Sequence, residues 1–367
     1  MKIGILGTIW LNIPPEGYGG TEEVLYNLTN GLSDRGHQVS LFGPATAKVR
    51  GTVIPTVDKP LRDQNIEWTN ISYILQHITA AFDRAGEFDL LHVHLNKSQD
   101  YLALPLAVNS AVPVVFTLHF KVPTPAYKPD RYMLLHKYRA FPFTSISDSQ
   151  READLNFIAT VYNCLDLSRF PFSDKTDDYF VWLGKVNPVK GTKEAIKAAK
   201  MANVKLYVLG AVDEAEPALK AYYEQEVKPL IDGERIIWKG ELGSEEKARL
   251  LGGAKGFLNP ILWDEPFGLV MAESQAVGTP VISFRRGAAL ELIIDGKTGY
   301  LVDTVDQMVE KIKIIDKIDR RACRKNIEEN FIIEKMIDGY EKAYEIAIKN
   351  WSTYLEKQKS LLKQNIS

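Results

Sequence analysis

What most constrains the fold of this chain is an alternation that occurs twice: short, nearly all-apolar runs separated by longer amphipathic segments. In the first series the apolar runs are residues 3–6, 39–42, 89–93, 114–118 and 143–146. Between them, residues 21–32, 66–84, 100–108 and 130–139 carry helical periodicity. Strands this apolar need cover on both faces, which predicts a parallel sheet between two helix layers. The polar stretch 168–178, with Pro171 and a charge cluster, breaks the pattern and reads as a linker. A second series follows, with strands at 179–183, 205–209, 235–238, 256–259, 281–283 and 299–302. Its helices fall at 192–202, 214–228, 245–251 and 306–317. From Phe331 onward, Met336, Tyr340, Tyr344 and Ile348 recur at helical spacing, and residues 351–367 form an amphipathic, lysine-bearing end. That end reads as an ordinary packed or frayed terminus, with weak membrane-surface contact as the minority alternative.

A chain of 367 residues can hold two domains of about 150 residues each. Lys+Arg number 45 against 47 Asp+Glu, so the basic excess of a nucleic-acid binder is missing. The two cysteines, Cys164 and Cys323, have no metal-type spacing and suggest a reducing compartment without structural zinc. Small buried side chains are the simplest account of both. Residues 1–7 are too short for a signal segment, and no stretch approaches the ~20 apolar residues of a membrane span. A cytoplasmic location is therefore expected. No internal repeat or low-complexity segment appears.

Residues 259–273 carry the densest chemistry. Glu265 and Glu273 are separated by seven residues, and Pro266 is expected in the first turn of a helix beginning near Phe267. The amides of Phe267, Gly268 and Leu269 would then lack intrahelical acceptors and form an anion site, with Gly268 leaving room for a phosphate. Glu265 would face one end of a ligand and Glu273, about two turns in, the other. An acidic residue at a helix start also favours the helix dipole without any ligand.

Other candidates sit at predicted strand ends, the ligand edge of an open α/β sheet. Gly17-Tyr18-Gly19-Gly20-Thr21-Glu22 follows the first strand. Its spacing is not that of a dinucleotide fingerprint, and the second strand ends Leu41-Phe42-Gly43-Pro44 where an NAD ribose would want an acid, so NAD is disfavoured. Lys185 and Lys190 bracket the loop after the strand at 179–183, two cations suited to a diphosphate leaving group. His119 ends one strand. His94 ends another, as a second cleft residue or as a satisfied polar side chain, and no third ligand makes zinc credible.

The string Glu265-Pro-Phe-Gly-Leu-Val-x-x-Glu273 resembles the Glu-x7-Glu motif of retaining glycosyltransferases of family 4. Gly-Lys at 184–185 with Lys190-Gly191, and the segments 278–282, 286–291 and 296–299, are similar to that family in order and spacing. Two positions depart from it: Lys185 stands where the family has arginine, which keeps charge but loses the bidentate fork, and Cys164 stands where it has glycine.

The resemblance implies a GT-B fold, two Rossmann-like doubly wound parallel-sheet domains facing across a cleft. Residues 1–170 would be the acceptor side, 171–330 the donor side, and 331–367 a helix packing back on the first domain. It further implies a retaining, metal-independent enzyme without cofactor that moves a hexose from a UDP- or GDP-type sugar to a glycan, lipid or small molecule. Glu265, His119, Lys190 and Lys185 would form the catalytic set. Gly19, Gly20, Phe267, Gly268, Leu269 and Glu273 would bind the donor. Cell-surface polysaccharide or glycoconjugate synthesis is the expected setting, in the cytoplasm with peripheral membrane contact. A nucleotide-sugar epimerase, a phosphorylase and a non-catalytic sugar-nucleotide binder are the alternatives.

Overall fold

The computed structural model describes residues 1–17, 19–67, 70–152, 154–213 and 216–364. The chain divides into two compact units, Met1–Cys164 with Ile333–Ser367, and Leu165–Ile332. The first division thus falls at 164/165 instead of 170/171, and the second at 332/333 instead of 330/331. The segments that cross the two divisions run side by side: Leu165 bridges Ile332 in parallel, and the Leu165 N–H donates to the Phe331 carbonyl at 2.9 Å.

Unit 1 holds seven strands: β1 (Lys2–Leu6), β2 (Gln38–Pro44), β3 (Thr52–Val57), β4 (Leu90–Leu95), β5 (Val114–Leu118), β6 (Phe143–Ser145) and β7 (Phe157–Thr160). They pair in parallel in the order β3-β2-β1-β4-β5-β6-β7. Strand order reverses between β1 and β4, which opens a crevice at their carboxyl ends. The sequence pattern does not disclose β3 and β7. Both are edge strands, and β3 contains Pro55, which an interior strand would reject. The helix expected from residue 66 begins at Ile71, where the Asn70 side chain caps the Ser72 N–H at 3.2 Å.

Side chains alternate across the sheet. Val114, Phe116 and Leu118 pack into one core, and Val115 packs into the other with Ile3, Ile5 and Leu41. The helix Ile333–Gln364 closes that second core with Met336, Ile337, Tyr340, Tyr344 and Ala347. Ile348 is instead 40% exposed. A repeated step of four drifts about 40° per step on a helix of 3.6 residues per turn, so the buried face passes to Ala347 and Trp351.

Unit 2 holds β8 (Phe180–Leu183), β9 (Leu206–Leu209), β10 (Ile236–Gly240), β11 (Gly256–Asn259), β12 (Val281–Phe284) and β13 (Gly299–Val302). Their order is β10-β9-β8-β11-β12-β13, again all parallel, with the reversal between β8 and β11. The single helix expected over 214–228 is broken into an α-helical stretch Pro217–Tyr222, a π turn Tyr223–Val227 and a 3-10 turn Lys228–Leu230 around Pro229; Glu214 lies outside the described residues. An additional helix, Arg320–Asn330, uses Arg320 to donate to the carbonyls of Ser173, Ala254 and Gly252. Among the described residues, no helix is long and apolar enough to cross a membrane.

Candidate functional site

In unit 2 the candidate residues gather at the carboxyl ends of β8 and β11, on both sides of the strand-order reversal. After β8 the chain makes a 3-10 turn, Pro188–Lys190, capped by the Asn187 side chain accepting from the Val189 N–H at 3.1 Å. Gly191 follows with φ 72°, and a Cβ there would lie 2.0 Å from the Pro260 carbonyl oxygen. Only glycine allows this turn to press against the segment leaving β11. That contact brings Lys190 to Glu265.

The Lys190 ammonium donates to Glu265 Oε2, which also accepts from the Trp263 indole N–H at 3.0 Å. Lys190 Nζ lies 5.0 Å from the centre of the Trp263 ring, so one side chain serves both as hydrogen-bond donor to the carboxylate and as cation–π partner of the lysine. The Glu265 backbone is fixed separately. Its carbonyl accepts from the Ala288 N–H at 3.0 Å, and a Cβ on Gly287 would meet Glu265 N and O at 2.5 Å.

The following helix spans Leu269–Ala276, with Gly268 as its N-cap at φ 89°. It starts two residues later than the sequence pattern suggests, so Pro266 and Phe267 precede it and Glu273 lies one turn in, not two. Phe267 turns inward, 2% exposed, and meets Phe331 edge-on at 5.7 Å. The Met271 N–H is taken by the Gly268 carbonyl at 2.9 Å. Leu269 and Val270 therefore carry the first-turn N–H groups without an intrahelical acceptor, and the expected Phe267–Leu269 set shifts by about one residue.

Each expected cation is matched by a carboxylate. Lys185 pairs with Asp213 at 2.6 Å, in the loop after β9. Glu273 pairs with Lys247 at 2.9 Å through Oε1, while its buried Oε2 has no partner among the described residues. Lys247 also lies 5.8 Å from the Phe170 ring centre. The unit thus offers a lysine held by a carboxylate, two helix-start amides, and a buried carboxylate oxygen awaiting a donor.

In unit 1 the candidates again lie at carboxyl ends of strands. Gly19 is the N-cap and Gly20 the first residue of the helix Gly20–Asp34; Tyr18 lies outside the described residues. Beside them Thr21 donates to Asn96 Oδ1 at 3.1 Å, and Thr8 donates to buried Glu22 at 2.7 Å. Burial holds the Glu22 carboxyl above its usual range.

His119 directly follows β5, half-buried, with its Nε2 2.8 Å from His94 Nδ1. His94 is 2% exposed and its Nε2 has no partner among the described residues, so it is only partly satisfied. Burial lowers His119 to about 3 and keeps His94 well below its usual value, so both rings are neutral near pH 7. His92 stands apart from the candidate set as a structural group, bonded to the Tyr344 hydroxyl at 2.8 Å and Thr117 Oγ1 at 2.7 Å.

Trp263, Lys247 and Asp213 escape the sequence reading. Trp263 lies two residues before Glu265 inside the densest stretch, a visible signal. Lys247 and Asp213 carry none, because their partners are distant in sequence. Among the described residues, no group of three His, Cys, Asp or Glu is arranged to hold a metal ion.

Two family descriptions match the chain: "Glycosyltransferase Family 4" over residues 18–168 and "Glycosyl transferases group 1" over residues 166–331. A phosphatidyl-myo-inositol mannosyltransferase of Mycolicibacterium smegmatis is 23% identical over 83% of this chain and 82% of its own length. An N-acetyl-alpha-D-glucosaminyl L-malate synthase of Bacillus anthracis is 24% identical over 94% of this chain and 96% of its own. Among solved structures, Anabaena Alr3699/HepE in complex with UDP and glucose superposes with a TM-score of 0.70 at 16% identity, covering 93% of this chain and 98% of that one. This last likeness concerns the fold: two Rossmann-like parallel-sheet domains, as in GT-B glycosyltransferases.

Proposed function

The chain belongs to the group 1 glycosyltransferases of family 4, and from that membership we propose that it moves a hexose from a nucleotide-diphospho-sugar to an acceptor hydroxyl, retaining anomeric configuration and using no metal ion. One observation carries the proposal: Lys190, Glu265 and Trp263 converge beside the first-turn amides of Leu269 and Val270, at the strand-order reversal of the second sheet. Such edges hold ligands, and helix-start amides hold phosphate.

The roles follow from charge. The donor diphosphate competes with Glu265 for Lys190 and takes up the Leu269 and Val270 N–H groups. Lys185, held by Asp213, adds positive potential. Glu265, released from Lys190 but still fixed by Trp263, accepts from sugar hydroxyls. Glu273 Oε2 accepts from the ribose while Lys247 pins Oε1. The assignment of Gly19, Gly20 and His119 of unit 1 to the donor rests on the family resemblance alone. The bond from the anomeric carbon to the diphosphate oxygen breaks, and a bond to the acceptor oxygen forms on the same face. The acceptor proton passes to the departing diphosphate oxygen. Glu265 stabilises and orients; it is not a nucleophile. Charge growing on the leaving group is what Lys190 and the amides neutralise.

The UDP and glucose bound by the Anabaena neighbour support a UDP-type donor. The relatives, by name a phosphatidyl-myo-inositol mannosyltransferase and an N-acetyl-alpha-D-glucosaminyl L-malate synthase, support glycoconjugate synthesis as the setting. Cys164 and Cys323, both buried as thiols, support a reducing, cytoplasmic compartment.

A panel of UDP, GDP and ADP sugars, scored for thermal stabilisation and slow donor hydrolysis, tests the proposal. The matching donor at a hundred times its dissociation constant adds about 2.7 kcal/mol. No response to any member of the panel overturns it.

A further inference from the structure

We infer that His94 is a positioning residue that fixes His119 in the tautomer protonated on Nδ1, so that His119 presents an N–H and not a lone pair to whatever it meets. The geometry lies within unit 1. His94 Nδ1 and His119 Nε2 are 2.8 Å apart, and the ring planes differ by 17° with centroids 5.1 Å apart. Rings so placed lie edge to edge and nearly coplanar, which points an N–H of one along the lone pair of the other. One proton is shared between these two nitrogens.

His94 Nε2 decides which ring owns it. That atom is buried and has no partner among the described residues. If the shared proton belonged to His119, neutral His94 would carry its own proton on Nε2, as a buried N–H with no acceptor. If it belongs to His94 Nδ1, then Nε2 is a bare lone pair. Orphaned buried N–H groups are the rarer and costlier arrangement. The proton therefore sits on His94 Nδ1, His119 Nε2 accepts it, and neutral His119 must be protonated at Nδ1.

The surroundings hold both rings in place. His92 lies against the His94 ring with centroids 4.1 Å apart, and is itself fixed by Tyr344 and Thr117. The His119 backbone N–H donates to the Leu95 carbonyl at 2.9 Å. Gln150, 5% exposed, donates to the carbonyls on either side of His119, Leu118 at 3.1 Å and Phe120 at 2.7 Å. Its own oxygen accepts from the Ile146 N–H at 2.7 Å. Backbone and ring of His119 are thus held independently, as a preorganised donor requires. That the oxygen it meets belongs to a donor sugar rests on the function proposed above; the tautomer does not.

Side-chain 15N NMR of the labelled full chain without ligand tests this, with His119→Asn used to assign the His119 signals. The expected spectrum has His119 Nδ1 in the protonated range and Nε2 in the bare range. In His94→Asp the carboxylate can only accept, so His119 Nε2 shifts to the protonated range and Nδ1 to the bare range. In His94→Asn the amide nitrogen replaces Nδ1 as donor, and the original pattern returns. A His119 protonated on Nε2 in the unsubstituted protein overturns the inference, whether or not either variant folds. So does a pattern unchanged by His94→Asp in folded protein. The expected spectrum together with no response to UDP-glucose or any other nucleotide sugar would instead leave the inference standing and remove the proposed function.

Discussion

Lys190 and Glu265 are held against each other by a turn that only glycine permits, so the principal candidate cation of unit 2 is neutralised before any ligand arrives. The pair is partly buried, with side-chain exposures of 25% and 15%. On the function proposed above, a diphosphate competes with Glu265 for the lysine, and its binding releases a carboxylate that sugar hydroxyls can then use.

This competition separates binding from turnover. Glu265→Gln leaves Lys190 without its charged partner and should tighten UDP binding two- to fivefold, about 0.5–1 kcal/mol for a pair of this exposure. The same variant should turn over donor more slowly. Lys190→Ala should weaken UDP binding and lower turnover by roughly 10²–10³. Calorimetric titration with UDP measures the first effect, and UDP release from the matching donor the second. Unchanged UDP affinity in Glu265→Gln would remove the competition.

Trp263 makes two contacts that can be separated. Trp263→Phe deletes the indole N–H to Glu265 but keeps an aromatic face for Lys190, whereas Trp263→Leu removes both. A hydrogen bond to a charged group contributes about 1.5–3 kcal/mol. Turnover is expected to fall at least tenfold in Trp263→Phe and further in Trp263→Leu. Equal rates for Trp263→Phe and the parent would show that the N–H does not orient Glu265.

Gly191→Ala tests the turn. A Cβ 2.0 Å from the Pro260 carbonyl, at a residue with φ 72°, forces the two loops apart. The cost should exceed the ~1 kcal/mol of an incompatible Gly→Ala change, because the clash adds to the backbone strain. Unit 2 should melt earlier and bind UDP more weakly, with unit 1 unaffected. A melting profile identical to the parent would falsify the close approach.

The limits of the sequence are instructive at these same residues. The apolar strands were legible because both faces of each sheet are covered, and that alone implies two doubly wound halves. The edge strands β3 and β7 were not, because exposure removes the apolar signal and Pro55 argues against a strand. Glu265 and Lys190 are legible as candidates, but their pairing depends on Gly191 folding against Pro260, 69 residues away in the chain. The helix start moved to Leu269 because Phe267 packs against Phe331, a tertiary contact that no local pattern contains. His94 could be read either way from sequence. Its distinguishing feature, one bonded and one orphaned nitrogen, exists only in three dimensions.

Acid should unfold the two units selectively. All six histidines of the chain lie in unit 1. Burial lowers His77 to about 4 and His92 and His119 to about 3, and holds His94 well below its ordinary value. Each is neutral when folded and titrates near 6.5 when unfolded, so the unfolded state binds more protons as pH falls. The stability they contribute is fully present above about pH 6.5 and is lost as pH drops toward their folded values, by about 1.4 kcal/mol per histidine per pH unit, offset in part by the buried carboxyls of Asp100, raised to about 6, and Glu22, also raised, which take up protons in the folded state. Unit 2 has no histidine and should lack this slope between about pH 6.5 and pH 4.5. Limited proteolysis with peptide mapping across that range should show cleavage spreading first through residues 1–164 and 333–364. His77→Gln, which keeps a polar group for Thr56 and Gly7 but cannot titrate, should flatten the slope by about one histidine's share. Simultaneous loss of both units, or a slope that persists undiminished in His77→Gln, would assign the acid sensitivity to carboxylates instead.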